Sequence, residues 1–208
     1  MLEPFSWLFV VTSLILIITP GQDMMLVMSR SIAQGSRAGV VTAAGVSTGL
    51  MGHSLLAALG LGAVLMASEM VFMAIKYAGV AYLIYLGIGA LLHRRGELTF
   101  RQLAAVPATR LFLQGAISNI SNPKITIFYF AYLPQFIPAG SPHPTLTLFG
   151  LGVAFAALTF LVKGPVGYGA GVLSGWLRSR PAVLTWINRT SGVILVALGI
   201  RLALARRS

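Results

Sequence analysis

The sequence has no cysteine and only 4 acidic residues among its 208. Without cysteine, neither a disulfide framework nor a thiolate metal site is possible. Charged residues make up 9% of the chain, against about 25% in soluble domains. With 57% hydrophobic residues and a mean hydropathy of +0.86, the chain has too little polar surface to cover a soluble core. This composition excludes an ordinary cytosolic enzyme and a disordered tail, and it predicts an integral membrane protein.

The sequence also lacks the motifs of several catalytic classes. It contains no G-x-x-x-x-G-K-[ST] phosphate-binding loop, no G-x-S-x-G nucleophile elbow and no cluster of histidines and carboxylates at metal-ligand spacing. Four acidic residues leave little for acid–base catalysis. We therefore expect a protein that is not an enzyme and that holds no cofactor and no metal.

Long uncharged intervals predict the membrane-spanning segments. The intervals lie between Glu3 and Asp23, Arg37 and Glu69, Lys76 and Arg94, and Lys124 and Lys163. A helix that crosses a bilayer needs about 20 mostly apolar residues. When these intervals are divided where proline and glycine cluster, the sequence predicts six segments, at about 5–34, 39–67, 70–92, 111–137, 145–170 and 183–204.

Two of these segments contain helix breaks at corresponding places in the two halves of the chain. The first segment is interrupted at Pro20-Gly21 and the fourth at Asn122-Pro123, because proline lacks a backbone donor and clashes with the preceding turn. The stretch from Lys76 to Gly87 also resembles the stretch from Arg189 to Gly199 once a one-residue gap is allowed.

A three-span unit that is repeated once must insert the second time upside down, as in many secondary transporters. The chain is therefore predicted to be one all-α transmembrane domain of two inverted three-helix repeats, at about 5–95 and 111–207. The alternative is a chance likeness between apolar, glycine-rich segments.

The net charge of +11 comes from 15 Lys and Arg residues scattered over short loops and span ends. No long basic face connects them, so we expect no nucleic-acid partner. The positive-inside rule places the N-terminus outside and the loops after spans one, three and five in the cytoplasm. Arg206 and Arg207 would then lie outside, which keeps open a five-span topology or a last segment that does not cross.

Asp23 stands three residues after Pro20, and Lys124 directly follows Asn122-Pro123. A charge inside a membrane costs roughly 2.5–3.5 kcal/mol of insertion free energy. We therefore expect each of these two residues to have a structural or functional role. A site for a zwitterion would use Asp23 for the ammonium group, and Lys124 with the open N–H groups of a half-helix for the carboxylate. The other interpretation is a purely structural pair of Asp23 with Lys124.

Other polar residues near the breaks are candidates for hydrogen bonding to a substrate or to the freed backbone. Together with the charged pair, the predicted binding residues are Pro20, Gly21, Gln22, Asp23, Asn119, Asn122, Pro123 and Lys124. Lys163, Lys76 and Arg201 are close enough to span ends to extend towards the membrane surface.

Gly45, Gly49 and His53 are spaced four residues apart and lie on one face of the second span. Small residues at this spacing let helices approach closely. Histidine changes its charge near neutral pH, so Asp23 and His53 are candidates for proton coupling, although His53 also fits a packing role. The further glycines predicted to serve helix packing are Gly79, Gly87, Gly192 and Gly199.

Four motifs, in this order, resemble the LysE/RhtB family of bacterial amino-acid exporters along essentially the whole chain. They read Thr19-Pro20-Gly21-Gln22-Asp23, then Gly45-x-x-Thr48-Gly49-Leu50-x-x-His53, then Lys76-Tyr-Ala-Gly79-x-x-Tyr82-Leu83-x-x-Leu86-Gly87, then Asn119-x-x-Asn122-Pro123-Lys124. The second motif looks most like the homoserine, homoserine-lactone and threonine branch. The resemblance implies six hydrophobic segments, location in the bacterial inner membrane and proton-driven efflux of amino acids or their derivatives. The chain departs from the family at Gln22, where the pattern has a second proline.

The leading functional hypothesis is an inner-membrane efflux permease whose partners are an amino-acid substrate, protons, the lipid bilayer and, as an open point, further copies of itself. One alternative is a non-transporting membrane scaffold or partner subunit. A cation or metal exporter is a weaker alternative, because clustered acidic residues and cysteine are absent.

Overall fold

The computed structural model describes residues 7–19, 21–61, 69–92, 104–137, 141–172 and 181–204. All regular secondary structure in these ranges is helical. The helices are α1 (Trp7–Ile18), α2 (Gln22–Gln34), α3 (Ser36–Leu56), α4 (Glu69–Leu92), α5 (Ala108–Ile120), α6 (Pro123–Ile127), α7 (Pro144–Val172) and α8 (Pro181–Leu204). One π-helical turn, Ala57–Leu61, extends α3, and a π-helical turn (Phe128–Tyr132) and a 3₁₀ turn (Leu133–Phe136) follow α6.

Both predicted helix breaks are present. The first segment divides into α1 and α2 with a bend of 55° between them; Pro20 itself lies outside the described residues. The fourth segment divides where α5 ends at Ile120 and α6 begins at Pro123. Residue Asn122 caps α6, because its Oδ1 accepts a hydrogen bond of 3.1 Å from the backbone N–H of Lys124.

Among the described residues, two helices are long and apolar enough to cross a membrane unaided. They span Ser36–Gly60 and Pro144–Val172, and the bent pair of α1 and α2 makes a third candidate. The predicted second segment reaches residue 67, and its last residues, 62–67, lie outside the described ranges. The predicted third and sixth segments correspond to α4 and α8, which pack against each other.

The outer surface of the bundle is apolar, and several charged and amide side chains are buried beside its apolar core. Large apolar side chains cover much of the outer surface, among them Leu113, Ile117, Leu161, Val193 and Ile200. Ionisable and amide side chains are buried, namely Asp23, Arg30, His53, Asn119, Asn122, Lys124 and Lys163. An apolar exterior suits contact with lipid, and ionisable side chains buried inside such a bundle mark a candidate functional site.

Glycines let α3 and α5 approach almost to backbone contact. A Cβ atom built on Gly45 would lie 2.0 Å from the carbonyl oxygen of Phe112, and one built on Gly49 would lie 2.7 Å from that of Ala116. The same face of α3 then carries His53, whose ring nitrogen Nε2 contacts the backbone oxygen of Asn119 at 3.1 Å. The spacing of Gly45, Gly49 and His53 thus aligns α3 with the end of α5 beside the second break.

The ends of three predicted loops lie at one end of the bundle. Gly35 joins α2 to α3 with φ of +89°, a conformation that favours glycine. Ser36 donates a hydrogen bond of 2.8 Å to the carbonyl of Tyr168 near the end of α7. The side chains of Arg30 and Gln34 donate to the carbonyls of residues 104 and 106, which precede α5, at 2.9 and 3.0 Å.

Candidate functional site

The two helix breaks meet around a small polar chamber near the middle of the bundle. The chamber has a volume of about 10 Å³, which is the room for about one water molecule. Side chains from α1, α3 and α7 complete its wall. Its polar lining consists of Thr19, Asp23, Asn119, Asn122, Lys124, Thr159 and Lys163.

Asp23 lies in the first turn of α2 and is buried in this chamber. Its Oδ2 accepts a hydrogen bond of 2.8 Å from Nδ2 of Asn119, and its Oδ1 accepts one of 3.2 Å from the hydroxyl of Ser118. The ammonium of Lys163 lies 3.5 Å from Oδ2. The positive end of the α2 dipole also favours a carboxylate at this position.

Lys163 is the principal correction to the sequence prediction. We expected its side chain to extend from a span end to the membrane surface, and this was wrong, because the residue is only 5% exposed and pairs with Asp23. Helix α7 is turned inward here by close packing, since a Cβ on Gly167 would lie 2.9 Å from the backbone of Gly39. That contact brings the Lys163 side chain into the chamber rather than to the surface.

Lys124 shares the chamber, but its ammonium is bound differently from the direct pair with Asp23 that one interpretation predicted. Its Nζ donates to the carbonyl oxygens of Leu16 and Thr19 at 3.3 and 3.2 Å. These carbonyls end the broken helix α1 and lack the partners that a continuous helix would give them. Among the described residues, Asp23 forms its ion pair with Lys163, and Lys124 forms none.

The three charged groups do not balance. Asp23 supplies one negative charge, and Lys124 and Lys163 supply two positive charges when both are protonated. With both lysines protonated, the chamber holds one more positive charge than negative charge.

Asn119 links the chamber to His53. Its side-chain N–H donates to Asp23, its backbone oxygen accepts from His53, and its Oδ1 is buried without a hydrogen-bond partner among the described residues. His53 itself does not line the chamber. Its ring packs beside Tyr129 with the ring centres 5.5 Å apart. The structure thus places His53 one residue away from the charges.

The remaining predicted residues occupy different positions around the first break. Gly21 lines the chamber, and a Cβ on it would lie 3.7 Å from Nζ of Lys124. Gln22 is exposed and lies at the rim, where its side-chain amide donates to the backbone oxygen and the hydroxyl of Ser118, each at 3.2 Å. Pro123 is exposed as the first residue of α6, and Pro20 lies outside the described residues.

Four residues that contact the site were not among the predicted binding residues, namely Thr19, Ser118, Thr159 and Lys163. A signal for Lys163 existed, because it is the only charged residue between Lys124 and Arg178. Ser118 and Thr159 are small hydroxyl residues of a type common in apolar helices, where they usually bond to their own backbone. Thr159 does so here, since its hydroxyl donates to the carbonyl of Phe155 at 2.8 Å.

Comparison with known proteins gives matches along nearly the whole chain. The family model described as LysE type translocator matches residues 14–206. A homoserine/homoserine lactone efflux protein of Salmonella typhimurium is 33% identical over 207 residues, which cover 98% of this chain and 99% of that protein. An uncharacterized membrane protein of Pseudomonas aeruginosa is 30% identical, with coverage of 97% and 96%.

A leucine efflux protein of Salmonella typhimurium is 27% identical over 206 residues, with coverage of 95% of this chain and 93% of that protein. No solved structure matches the chain.

Proposed function

Since the chain belongs to the family of LysE-type translocators, we propose that it is an inner-membrane efflux permease for amino acids or amino-acid derivatives that works by proton-coupled alternating access. The observation that carries this proposal is the buried group of Asp23, Lys124 and Lys163 at the junction of two broken helices. Relatives named for homoserine, homoserine lactone and leucine efflux support the same substrate class.

The chamber offers complementary positions for the two ends of an amino acid. The carboxylate would bind between Lys124 and the start of α2, where Gly21 leaves the backbone N–H groups without a side-chain cap. The N-terminus of a helix and a lysine ammonium both attract an anion. The substrate's ammonium would bind Asp23 and the unpartnered Oδ1 of Asn119.

The size of the chamber requires movement during transport. A cavity of about 10 Å³ cannot hold an amino acid, so the bundle must widen before a substrate enters. The breaks after α1 and after α5 are the natural hinges, because no continuous hydrogen-bond ladder stiffens the chain there. We therefore assign this structure to a closed form between two open ones, as alternating access requires.

We further propose the six-span architecture of two inverted repeats. Support comes from the equivalent positions of the breaks in the two halves. It comes also from the contact of α4 with α8, where a Cβ on Gly87 would lie 2.8 Å from the oxygen of Gly192, and one on Gly192 would lie 2.7 Å from the oxygen of Gly87. Gly79 and Gly199, at the other ends of the two similar stretches, are buried as well.

The experiment that tests the function uses the purified protein in lipid vesicles. With an acidic lumen, the vesicles are expected to accumulate labelled homoserine, threonine or leucine above the external concentration. The variant Asp23→Asn should strongly slow accumulation, and Gly52→Ala should leave it unchanged, because Gly52 lies outside the chamber lining and has room for a methyl group. Folded, monodisperse protein that moves no member of a broad amino-acid panel would refute the proposal.

The scaffold alternative makes the opposite prediction for the same assay system. Buried charges that only hold a fold together are often replaceable by apolar residues of similar size. A scaffold should therefore tolerate Asp23→Leu together with Lys163→Leu and Lys124→Met without any change in its biological effect. Loss of flux at unchanged folded yield would exclude the scaffold.

A further inference from the structure

We infer that Lys163 is a built-in replacement for the substrate's ammonium group: it occupies Asp23 while the site is empty, and its displacement by substrate releases the proton that couples export to the proton gradient. This inference rests on the proposed function and adds to it the identity of the coupling group.

The geometry shows Lys163 in the position that an incoming ammonium would need. Its Nζ lies 3.5 Å from Oδ2 of Asp23, and the two side chains are 6% and 2% exposed. Oδ2 also accepts the short hydrogen bond from Asn119. A substrate cannot pair closely with this carboxylate until the Lys163 ammonium moves aside.

The two lysines are held in different ways, which distinguishes their roles. Lys124 is fixed by two backbone carbonyls at the end of α1. Among the described residues, the contact that holds the Lys163 ammonium is its ion pair with Asp23, a side chain that the substrate also seeks. Lys124 is therefore suited to a position that stays fixed through the cycle, and Lys163 to a contact that is exchanged.

The surroundings of Lys163 favour loss of a proton once the pair is broken. The elements that wall the chamber or pack against α7 carry the ionisable side chains Asp23 and Arg30 of α2, Arg37 and His53 of α3, Arg110 of α5, Lys124 of α6, Tyr168 of α7, and Tyr129 and Tyr132 of the π-helical turn. Arg110 and Tyr168 are exposed. Arg30 bonds to the connection before α5, Arg37 is exposed, and His53 contacts Asn119.

Thus Asp23 and Lys124 are the charges that share the chamber with Lys163, and Asp23 is the one of opposite sign. When a substrate ammonium neutralises Asp23, the Lys163 ammonium is left buried beside a second ammonium, a costly arrangement. One N–H bond of Lys163 then breaks, its electron pair stays on nitrogen, and the proton passes to water on the cytoplasmic side.

The transport cycle is then completed without any further ionisable group. After the substrate leaves on the other side, Asp23 again has no partner. The neutral Lys163 amine takes a proton from the outer solution and pairs with Asp23 once more. The exchange is one proton inward for one amino acid outward, and the loaded site carries one positive charge less than the empty site.

Two substitutions at this position are expected to act in opposite directions. Lys163→Met removes the internal competitor, so substrate should bind more tightly and exchange across the membrane should continue without dependence on pH. Lys163→Arg keeps a cation that does not lose its proton in proteins, so Asp23 should stay occupied and both exchange and net transport should fall. A merely structural ion pair predicts the reverse order, with arginine the milder change.

The experiment measures two fluxes in vesicles with the membrane potential clamped. In the wild type, a gradient of one pH unit is expected to give about a tenfold accumulation for one proton per substrate. The Lys163→Met variant should retain exchange of labelled for unlabelled substrate, while its accumulation falls to the external concentration. Accumulation driven by pH in Lys163→Met, or in Lys163→Arg, would overturn the inference.

A measurement on the wild type keeps the test independent of how the variants fold. In weak buffer with a pH indicator, the detergent-solubilised protein should release about one proton for each substrate molecule that binds. Binding without proton release overturns the inference and leaves the proposed function intact. If the wild type neither binds nor transports any amino acid, the proposed function itself fails.

Discussion

Replacement of Gly45 by alanine is expected to force α3 away from α5 and to destabilise the bundle by about 2 kcal/mol. The added Cβ would lie 2.0 Å from the carbonyl oxygen of Phe112 and 2.8 Å from its carbon. Both atoms belong to helical backbone and cannot rotate aside. Overpacking of this kind costs about 1–3 kcal/mol, and we take the upper end because the helices must separate. The better helix propensity of alanine returns about 1 kcal/mol.

A change of this size corresponds to a fall in melting temperature of about 4–8 °C for a chain of this length. Thermal unfolding in one detergent, followed by tryptophan fluorescence or by loss of the monodisperse peak, measures it. Gly52→Ala is the matched control on the same helix, because its Cβ would meet Ile120 side-chain atoms at an ordinary 3.8 Å. Gly49→Ala should fall between the two. Equal melting temperatures for the Gly45 and Gly52 variants would refute the close-packing argument.

Three further predictions concern transport in the vesicle assay. Asp23→Asn should lower flux about 10- to 100-fold while folded yield falls much less, because it removes the charged partner of the substrate ammonium; equal losses of flux and yield would favour a structural pair. Lys124→Met should weaken the binding of substrates that carry a free carboxylate more than the binding of their esters, as measured by their competition with a labelled substrate. Equal weakening of both would contradict the proposed position of the carboxylate. His53→Gln should retain accumulation driven by pH, because His53 reaches Asp23 only through Asn119; loss of that accumulation with exchange intact would make His53 part of the coupling.

The helices and their breaks were predictable because they follow from local chemistry. Uncharged intervals locate long apolar helices in any sequence of this composition. Proline at positions 20 and 123 interrupts a hydrogen-bond ladder wherever it stands. The start of α2 shortly after Pro20 and that of α6 at Pro123 could therefore be predicted from the sequence, and with them the proximity of Asp23 and Lys124.

The partner of Asp23 could not be predicted in the same way. Whether Lys163 faces inward depends on the rotation of α7, which is set by its contact with Gly39 on a distant part of the sequence. Lys124 was predicted near Asp23, but the carbonyls left open at the end of α1 compete for its ammonium. Both outcomes depend on contacts between elements far apart in the chain, which no local pattern records.

The side chains of Arg30 and Gln34 have a mechanical consequence. They tether the last turns of α2 to the connection that enters α5. If α2 rotates about the break that precedes it, these hydrogen bonds would displace the connection and, with it, the first turn of α5. In the proposed transport cycle, a tilt of one half of the molecule would therefore move the other half as well, and the two hinges would turn together.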